Sequence, residues 1–490
     1  LRYCGRALRR RPETGILLTA LSGVARAVEL LAHRAQGEPD LRLIQQLWQK
    51  KHTRLLQRGQ GQSKDHSLHA TYEVALTHAD LTGTSREVLR LLAAPPTGIE
   101  RADLAVLGEA APEQASVLRD LSLIYLEGER YRLLAPFRHY VLDEMALSPE
   151  ALRLLLAHYV EFATLHGAKV GADGGARAVR QLLRELPNLQ WAIREWVSDD
   201  ESLPSGVRAA GALAEFTRFT GLGDGQLLSW LATLTRDRGL LRQSADCEQS
   251  LGDILRARSD HAGAKAKYEK ALPLYVEVGD KLGEANCERS LGNILLDRSE
   301  HAEAQAKYEK ALPLYVGVGD KLGEANCEFR LGAILLARSE PEGAQAKYEK
   351  ALLLYVEVGD KLGEANCQQG LADILRARSD HVEAQAKYKK ALRLYGELGW
   401  KLGEGTCQQG LGDIQRANCQ DSGAKAQWEL ALRLFTDFGD PYSMGDAHWR
   451  LARVSDHPAE RERHLREARD CFTRINRPDL VEMLRREFPD

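Results

Sequence analysis

"VGDKLGEANC" occupies residues 278–287, recurs at 318–327 and recurs again at 358–367. Copies at a constant interval mark a chain built from one repeated supersecondary unit. One full period, residues 281–320, reads KLGEANCERSLGNILLDRSEHAEAQAKYEKALPLYVGVGD. Ala285, Cys287, Leu291, Ile294 and Leu295 share one face of a first helix. Ala304, Tyr308, Ala311, Leu312 and Tyr315 share one face of a second. Ser299, in the RSEH break, is expected to N-cap the second helix. Gly319 suits the left-handed position that ends it, and Asp320 can cap the next unit. An antiparallel helix pair of this kind cannot bury its apolar face alone, so stacked copies must make the core.

Small residues set how closely the helices approach. Leu291-Gly292, Ala304, Tyr308 and Ala311 follow the order Leu-Gly, Ala, aromatic, Ala. This is the tetratricopeptide pattern, in a unit longer than the usual length of about 34 residues. The unit resembles the long, Gly-rich tetratricopeptide repeats of kinesin light chains and Leu-Gly-Asn-type adaptors. Units start near 241, 281, 321, 361 and 401, with a degraded sixth at about 441–476. Residues 477–490 read as a capping helix, apolar through Leu480, Met483, Leu484 and Phe488. Residues 205–240 read as a divergent first helix pair.

Differences among the copies concentrate on the first helix. They fall at Arg289/Phe329/Gln369, Asn293/Ala333/Asp373 and Leu296/Leu336/Arg376. The resemblance implies that first helices line a concave groove, and these positions share one side of the helix. The second-helix positions Glu309 and Lys310 hardly vary, which argues against uniform drift. The expected groove comprises Asn286, Arg289, Asn293, Leu296, Asn326, Phe329, Ala333, Leu336, Asn366, Gln369, Asp373 and Arg376, with Arg256 and Arg416 toward its ends. Its centre is an apolar patch of Leu296, Phe329, Ala333 and Leu336 inside a charged rim. Asp253–Arg256, Asp373–Arg376 and Asp413–Arg416 are expected to pair along their own helices. The expected partner is a protein or peptide segment with an apolar anchor. The competing reading packs Phe329 sideways between adjacent first helices.

The first half is less regular. Apolar helices are expected at 14–34 and 68–77. Residues 85–147 then show a helix at 85–94, a Pro-Pro turn, helices at 101–109 and 113–122, and a hairpin signal. In the hairpin, Ile124-Tyr125-Leu126 and Tyr131-Arg132-Leu133 flank the turn at 127–130. Three helices and a hairpin describe a winged helix. With Gly15-Ile16-Leu17-Leu18 and the stretch LRELPNLQWAIREWV (183–197), this half resembles the end of the nucleotide-switch module of STAND (NB-ARC-like) signalling proteins. The resemblance implies a module remnant at 1–84, a winged helix at 85–147 and a helical connector at 148–204. The array at 241–476 would then be the sensing part. The fold class expected is all-α: a right-handed tetratricopeptide α-solenoid preceded by a helical region with one small β-hairpin.

The family's phosphate loop GxxxxGK[ST] is missing, and Leu134-Ala135-Pro136 stands where its nucleotide-sensing His belongs, with His139 nearby. GADGGAR (171–177) is expected to be a loop. The first residue is Leu1, so the expectation is a fragment whose nucleotide machine lies upstream or has been lost. On its own the chain is expected to hold no nucleotide, cofactor or metal. A formal net charge of −3 argues against nucleic acid as a partner. DNA binding through 109–125 is the alternative, but Glu109, Glu113 and Asp120 would meet phosphates there. Arg9-Arg10-Arg11 reads as a solvated run. No apolar run reaches the roughly 20 residues needed to span a bilayer. Five of the eight cysteines, Cys247, Cys287, Cys327, Cys367 and Cys407, recur with the repeat. Stacked helices sit roughly 8–10 Å apart, beyond the limit of about 7 Å for a disulfide. Buried thiols in a reducing, cytoplasmic setting are therefore expected. No catalytic constellation stands out.

Overall fold

The computed structural model describes residues 72, 73, 76 and 81–488, except 172, 173 and 224. The helix expected at 14–34, the Gly15–Leu18 match and Arg9–Arg11 lie outside the described residues, as does most of 68–77. The chain divides into two compact units, Leu1–Lys267 and Tyr268–Asp490.

In the first unit, α1 (Gly83–Ala93) starts at a capping box. Thr82 accepts from the Ser85 N–H, and Ser85 Oγ accepts from the Thr82 N–H. A 3₁₀ helix (Arg101–Leu107) and α2 (Ala111–Asp120) follow, then β2 (Tyr125–Glu127), β3 (Arg130–Arg132) and α3 (Ala135–Glu144). This is the element order expected, with one correction. Ile99–Glu100 forms an additional strand, β1, so the sheet has three antiparallel strands in the order β1-β3-β2. Gly98, at φ +77, turns the chain into that strand so closely over the Tyr131 carbonyl that a Cβ would not fit.

The stretch expected as a connector forms α4 (Pro149–Gly167) and α5 (Gly175–Trp196). Residues 175–177, expected in a loop, already belong to α5. The stretch expected as a divergent pair forms α6 (Leu203–Thr220) and α7 (Gln226–Asp237), which pack on α8 (Leu241–Ala257) more than on each other. The unit boundary falls inside α9 (His261–Val278).

The second unit continues as helix pairs: α10 (Lys281–Asp297) with α11 (His301–Val318), α12 (Lys321–Ala337) with α13 (Pro341–Val358), and α14 (Lys361–Ala377) with α15 (His381–Leu398). Then come α16 (Lys401–Ala417), α17 (Asp421–Phe438), α18 (Pro441–Val454), α19 (Pro458–Arg474) and the capping helix α20 (Pro478–Glu487). Leu484 is fully buried in α20, whereas Met483, expected on the apolar face, is exposed. The fold is an all-α tetratricopeptide solenoid preceded by helices with one small sheet.

Each pair is sealed by the small residues expected. A Cβ at Gly292 would meet the Tyr308 ring at 3.1 Å, and one at Gly332 would meet Tyr348 at 2.8 Å. Ala304, Tyr308, Ala311 and Tyr315 are fully buried. Asp280 and Asp320 cap α10 and α12 by accepting from Gly283 and Gly323 N–H, each at 3.0 Å. Ser299 is not an N-cap. It sits at φ +62 after the end of α10, and Ser259, Ser339, Ser379 and Cys419 repeat that left-handed conformation. The Ser299 N–H reaches Leu296 O and the Glu300 N–H reaches Leu295 O, so the serine terminates the first helix.

Candidate functional site

The first helices of the second unit carry a ladder of side chains tied to tyrosines of the second helices. Tyr315 Oη donates to Asn286 Oδ1 at 2.7 Å, Tyr355 to Asn326 at 2.9 Å and Tyr395 to Asn366 at 2.7 Å. One step along, where Phe435 takes the tyrosine's place, Thr406 takes the asparagine's and bonds its own helix at Leu402 O. The asparagine therefore partners the buried hydroxyl, which would otherwise be stranded in an apolar core. Arg289 Nε donates to the same Tyr315 hydroxyl at 2.9 Å, and Gln369 Oε1 lies 3.0 Å from Tyr395 Oη.

A second rung runs through the position after the Leu-Gly pair. Tyr308 Oη donates to Asn293 Oδ1 at 2.8 Å, Tyr388 donates to Asp373, and Trp428 Nε1 donates to Asp413 at 3.2 Å. Burial raises the Asp373 carboxyl, and the Tyr388 hydrogen bond opposes that rise. In the unit between, Ala333 takes this place. Among the described residues Tyr348 Oη has no hydrogen-bond partner.

Phe329 lies half-buried beside this gap, its ring centroid 5.4 Å from that of Tyr348. It packs into two neighbouring clusters, one with Tyr355 and Cys367, the other with Tyr348, Leu371 and Ile374. It therefore makes the sideways contact of the competing reading and still keeps an accessible edge, under the Arg330 guanidinium at 5.9 Å. Leu336 is exposed, while Leu296 is half-buried against the Tyr308 and Tyr315 cluster.

The expected rim pairs are corrected in part. Asp373 and Arg376 are 3.9 Å apart on α14. Asp413 does not pair with Arg416. It receives Arg376 from the preceding first helix at 3.4 Å and Arg450 from the following one at 2.8 Å. Arg416 is exposed and pairs with Asp421 at 2.6 Å. Arg256 belongs to the first unit, where its Nε is buried without a partner among the described residues.

Sequence reading missed a second polar centre, in the first unit. Arg130 on β3 donates to Glu185 and Thr97 Oγ1, and pairs with Glu100 at 3.2 Å. Asn188 Nδ2 donates to Gly98 O at 2.9 Å and Glu185 Oε2 at 2.8 Å, and its Oδ1 accepts from the Thr97 N–H and hydroxyl. Glu185 and Asn188 are almost wholly buried. The available signal was their position: they share the α5 face of Leu182, Leu189 and Ala192. α2, the candidate DNA-reading helix, exposes Glu113, Arg119 and Asp120, with Arg119 and Asp120 paired at 3.7 Å.

The repeat cysteines are buried and form no disulfide among the described residues, and burial pushes the Cys327 and Cys367 thiols up to about 12. Such thiols are inert at neutral pH. Among the described residues no cluster of three or more His, Cys, Asp or Glu could hold a metal ion, and no helix is long and apolar enough to cross a membrane.

No curated protein matches the chain. By structure it is similar to a STAND (Signal Transduction ATPase with Numerous Domains) protein with a tetratricopeptide repeat sensor from Pyrococcus horikoshii. That match has a TM-score of 0.49 at 15% identity and covers 93% of this chain and 74% of that one. It is also similar to a Rap protein complexed with Competence and Sporulation Factor (TM-score 0.43, 12% identity, 69% and 96% covered). A third similar structure is YrrB, a TPR protein with an unusual peptide-binding site (TM-score 0.31, 17% identity, 42% and 93% covered). The tetratricopeptide repeat family profile matches residues 244–315 and 324–397, and those segments are tetratricopeptide repeats.

Proposed function

We propose that the second unit is a non-catalytic scaffold that binds a protein or peptide segment along its first helices, centred on the unit at 321–360. The observation that carries this is the gap in the second rung. Every neighbouring unit gives its second-helix ring a polar partner, through Asn293, Asp373 or Asp413. Here Ala333 gives none, so the Tyr348 hydroxyl is open to a backbone carbonyl of a ligand. Phe329 and exposed Leu336 flank it with apolar surface. Arg289, Arg330 and Arg376 surround that surface with charge. An aromatic contact inside a polar ring concentrates binding energy. The ligand is accordingly a segment with one apolar side chain and flanking acidic groups.

In the same reading residues 85–147 are a winged helix, 148–204 the connector, and the chain the sensing half of a STAND-type signalling protein acting in the cytoplasm. The order of elements from α1 to α5 supports it, as does the Arg130–Glu185–Asn188 network that ties sheet to connector.

The test is a variant that closes the gap. Ala333→Asn supplies Tyr348 with the acceptor that Tyr308 already has. Peptides selected by phage display on the purified chain should lose at least about tenfold in affinity for Ala333→Asn, and about 2 kcal/mol or more for Phe329→Ala. Ala333→Asn should melt no lower than the parent. Selected peptides that bind both variants as tightly as the parent would end the proposal.

A further inference from the structure

A cavity of ≈ 440 Å³ opens in the first unit between α6, α7 and α8. All its walls come from residues 204–250, so it stands or falls independently of the binding proposed for the second unit. Pro204, Val207 and Leu228 form an apolar side, and Arg208, Arg242 and Asp246 bring charge to the opening. Arg208 is exposed and has no hydrogen bond or ion pair among the described residues. A guanidinium that faces a cavity and is bonded to no other group is a ready partner for a planar two-oxygen anion.

The shape of one wall is a second observation. Gly211 lies in the middle of α6, where glycine destabilises a helix by about 1 kcal/mol relative to alanine. Most glycines within the repeat helices are explained by a ring that a Cβ would strike, as at Gly292, Gly332 and Gly412. At Gly211 a Cβ would meet nothing nearer than Ser250 Oγ at 3.9 Å. No packing contact requires the glycine. Its effect is to keep the cavity open, with the Ser250 hydroxyl on the facing wall.

We propose that this cavity binds a monoanionic carboxylate carrying a short aliphatic body. The Arg208 guanidinium takes the carboxylate, and Val207 and Leu228 cover the aliphatic part. Asp246 sets the charge limit. With Arg242 it leaves the opening near one net positive charge, so a dianion such as a phosphate monoester meets repulsion that a carboxylate does not. A free carboxylic acid and the C-terminal residue of a peptide offer the same chemistry.

Saturation-transfer NMR on the full chain tests this with 4-methylpentanoate, 4-methylpentanamide and 3-methylbutyl phosphate. To separate sources, N-acetyl-glycyl-leucine is run against its C-terminal amide. The expected result is saturable binding of 4-methylpentanoate, with the amide weaker by about tenfold or more, the size of one lost charge-assisted hydrogen bond. Arg208→Gln should weaken the acid by a similar factor. Gly211→Leu, whose Cβ meets nothing nearer than Ser250 Oγ and whose side chain would occupy the cavity, should abolish binding while the melting temperature holds or rises. Tighter binding of N-acetyl-glycyl-leucine than of 4-methylpentanoate assigns the site to a peptide end, and the reverse assigns it to a free acid. Equal binding of acid and amide, tighter binding of the phosphate, or unchanged binding by Gly211→Leu would each overturn the proposal.

Discussion

The two units are held together by different kinds of contact. In the first, Arg130, Glu185, Asn188 and Thr97 meet once, across stretches up to 91 residues apart, and nothing else in the described chain repeats the arrangement. In the second, one contact is copied. Tyr315–Asn286, Tyr355–Asn326 and Tyr395–Asn366 are the same bond at the same place in three units. The ion pairs of buried Glu288 with Lys307 and buried Glu328 with Lys347, both at 2.7 Å, are likewise one pair, whose first copy, Glu248–Lys267 at 2.8 Å, already stands at the end of the first unit. A unique contact concentrates stability at one point. A copied one spreads it, and any unit can lose its copy without disturbing units it does not touch.

The largest expected effect breaks the unique centre. Glu185→Ala leaves the Arg130 guanidinium largely buried with Glu100 as its one remaining carboxylate partner among the described residues, and Asn188 loses an acceptor. Removing one partner of a buried pair typically costs about 3–5 kcal/mol. Hydrogen exchange should loosen β1, β3 and α5 together and leave 281–440 protected. A loss confined to the ends of α5 would mean that the network is not what joins the sheet to α5.

A one-off contact also sits inside the copied unit, and pH reaches it. His448 Nδ1 lies 2.8 Å from His464 Nδ1 between α18 and α19. Burial lowers His464 to about 4, with further lowering from His448 and Arg463, while Glu460 opposes it and Lys425 adds to it. Burial lowers His448 too, against the pull of Glu467. An imidazole depressed on folding takes its proton first in the unfolded chain. Its stabilising effect is therefore complete above the unfolded value of about 6.5 and is lost as pH falls toward 4. Melting curves from pH 7.5 to 4.5 should show residues 441–474 loosening first. His464→Gln should flatten that dependence, and an unchanged slope would show that other groups set it.

What sequence could reveal follows the same division. The helix pairs, the glycine–tyrosine contacts and the Asp280 and Asp320 caps were legible because copies act as an internal alignment. A position that repeats as Gly, Gly, Gly against Tyr, Tyr, Tyr states its own packing. The pairing of Asn with Tyr, and of Thr406 with Phe435, was present in the letters, but on helices whose relative rotation the period does not give. The Asp413 bonds to neighbouring helices were illegible for that reason. Ser299 misled because a serine before a helix favours an N-cap by propensity, while the tight turn at the end of α10 decided its backbone first. Glu185 and Asn188 had no second copy to flag them, and Ile99–Glu100 is too short a strand to carry a period.

A smaller effect separates two copies of one tyrosine. Tyr308 Oη has Asn293, whereas Tyr348 Oη has no partner among the described residues. Tyr308→Phe should cost about 1 kcal/mol, the net worth of an ordinary hydrogen bond. Tyr348→Phe should be neutral within error by urea denaturation of the full chain. Equal costs would mean that Tyr348 has a partner in solution and that the rung is unbroken.

The smallest effect asks whether copies are equal in energy as well as in geometry. Ser299, Ser339 and Ser379 hold φ between +62 and +64. A residue with a Cβ pays roughly 1–2 kcal/mol for that conformation, and glycine does not. Glycine also has more freedom to lose from the unfolded chain, which returns part of the gain. The serine side chains are exposed, and their hydroxyls make no hydrogen bond among the described residues, so nothing else is forfeited. Ser299→Gly, Ser339→Gly and Ser379→Gly should therefore each stabilise by about 0.5 kcal/mol. The three gains should match and should add, since the serine hydroxyls take no part in the bonds that link neighbouring units, such as Arg338–Gln305 and Arg378–Gln345. A gain at Ser339 unlike the other two would place the difference in the unit where Phe329 and Ala333 already depart from the pattern. The copying would then stop at the sequence and not extend to the energies.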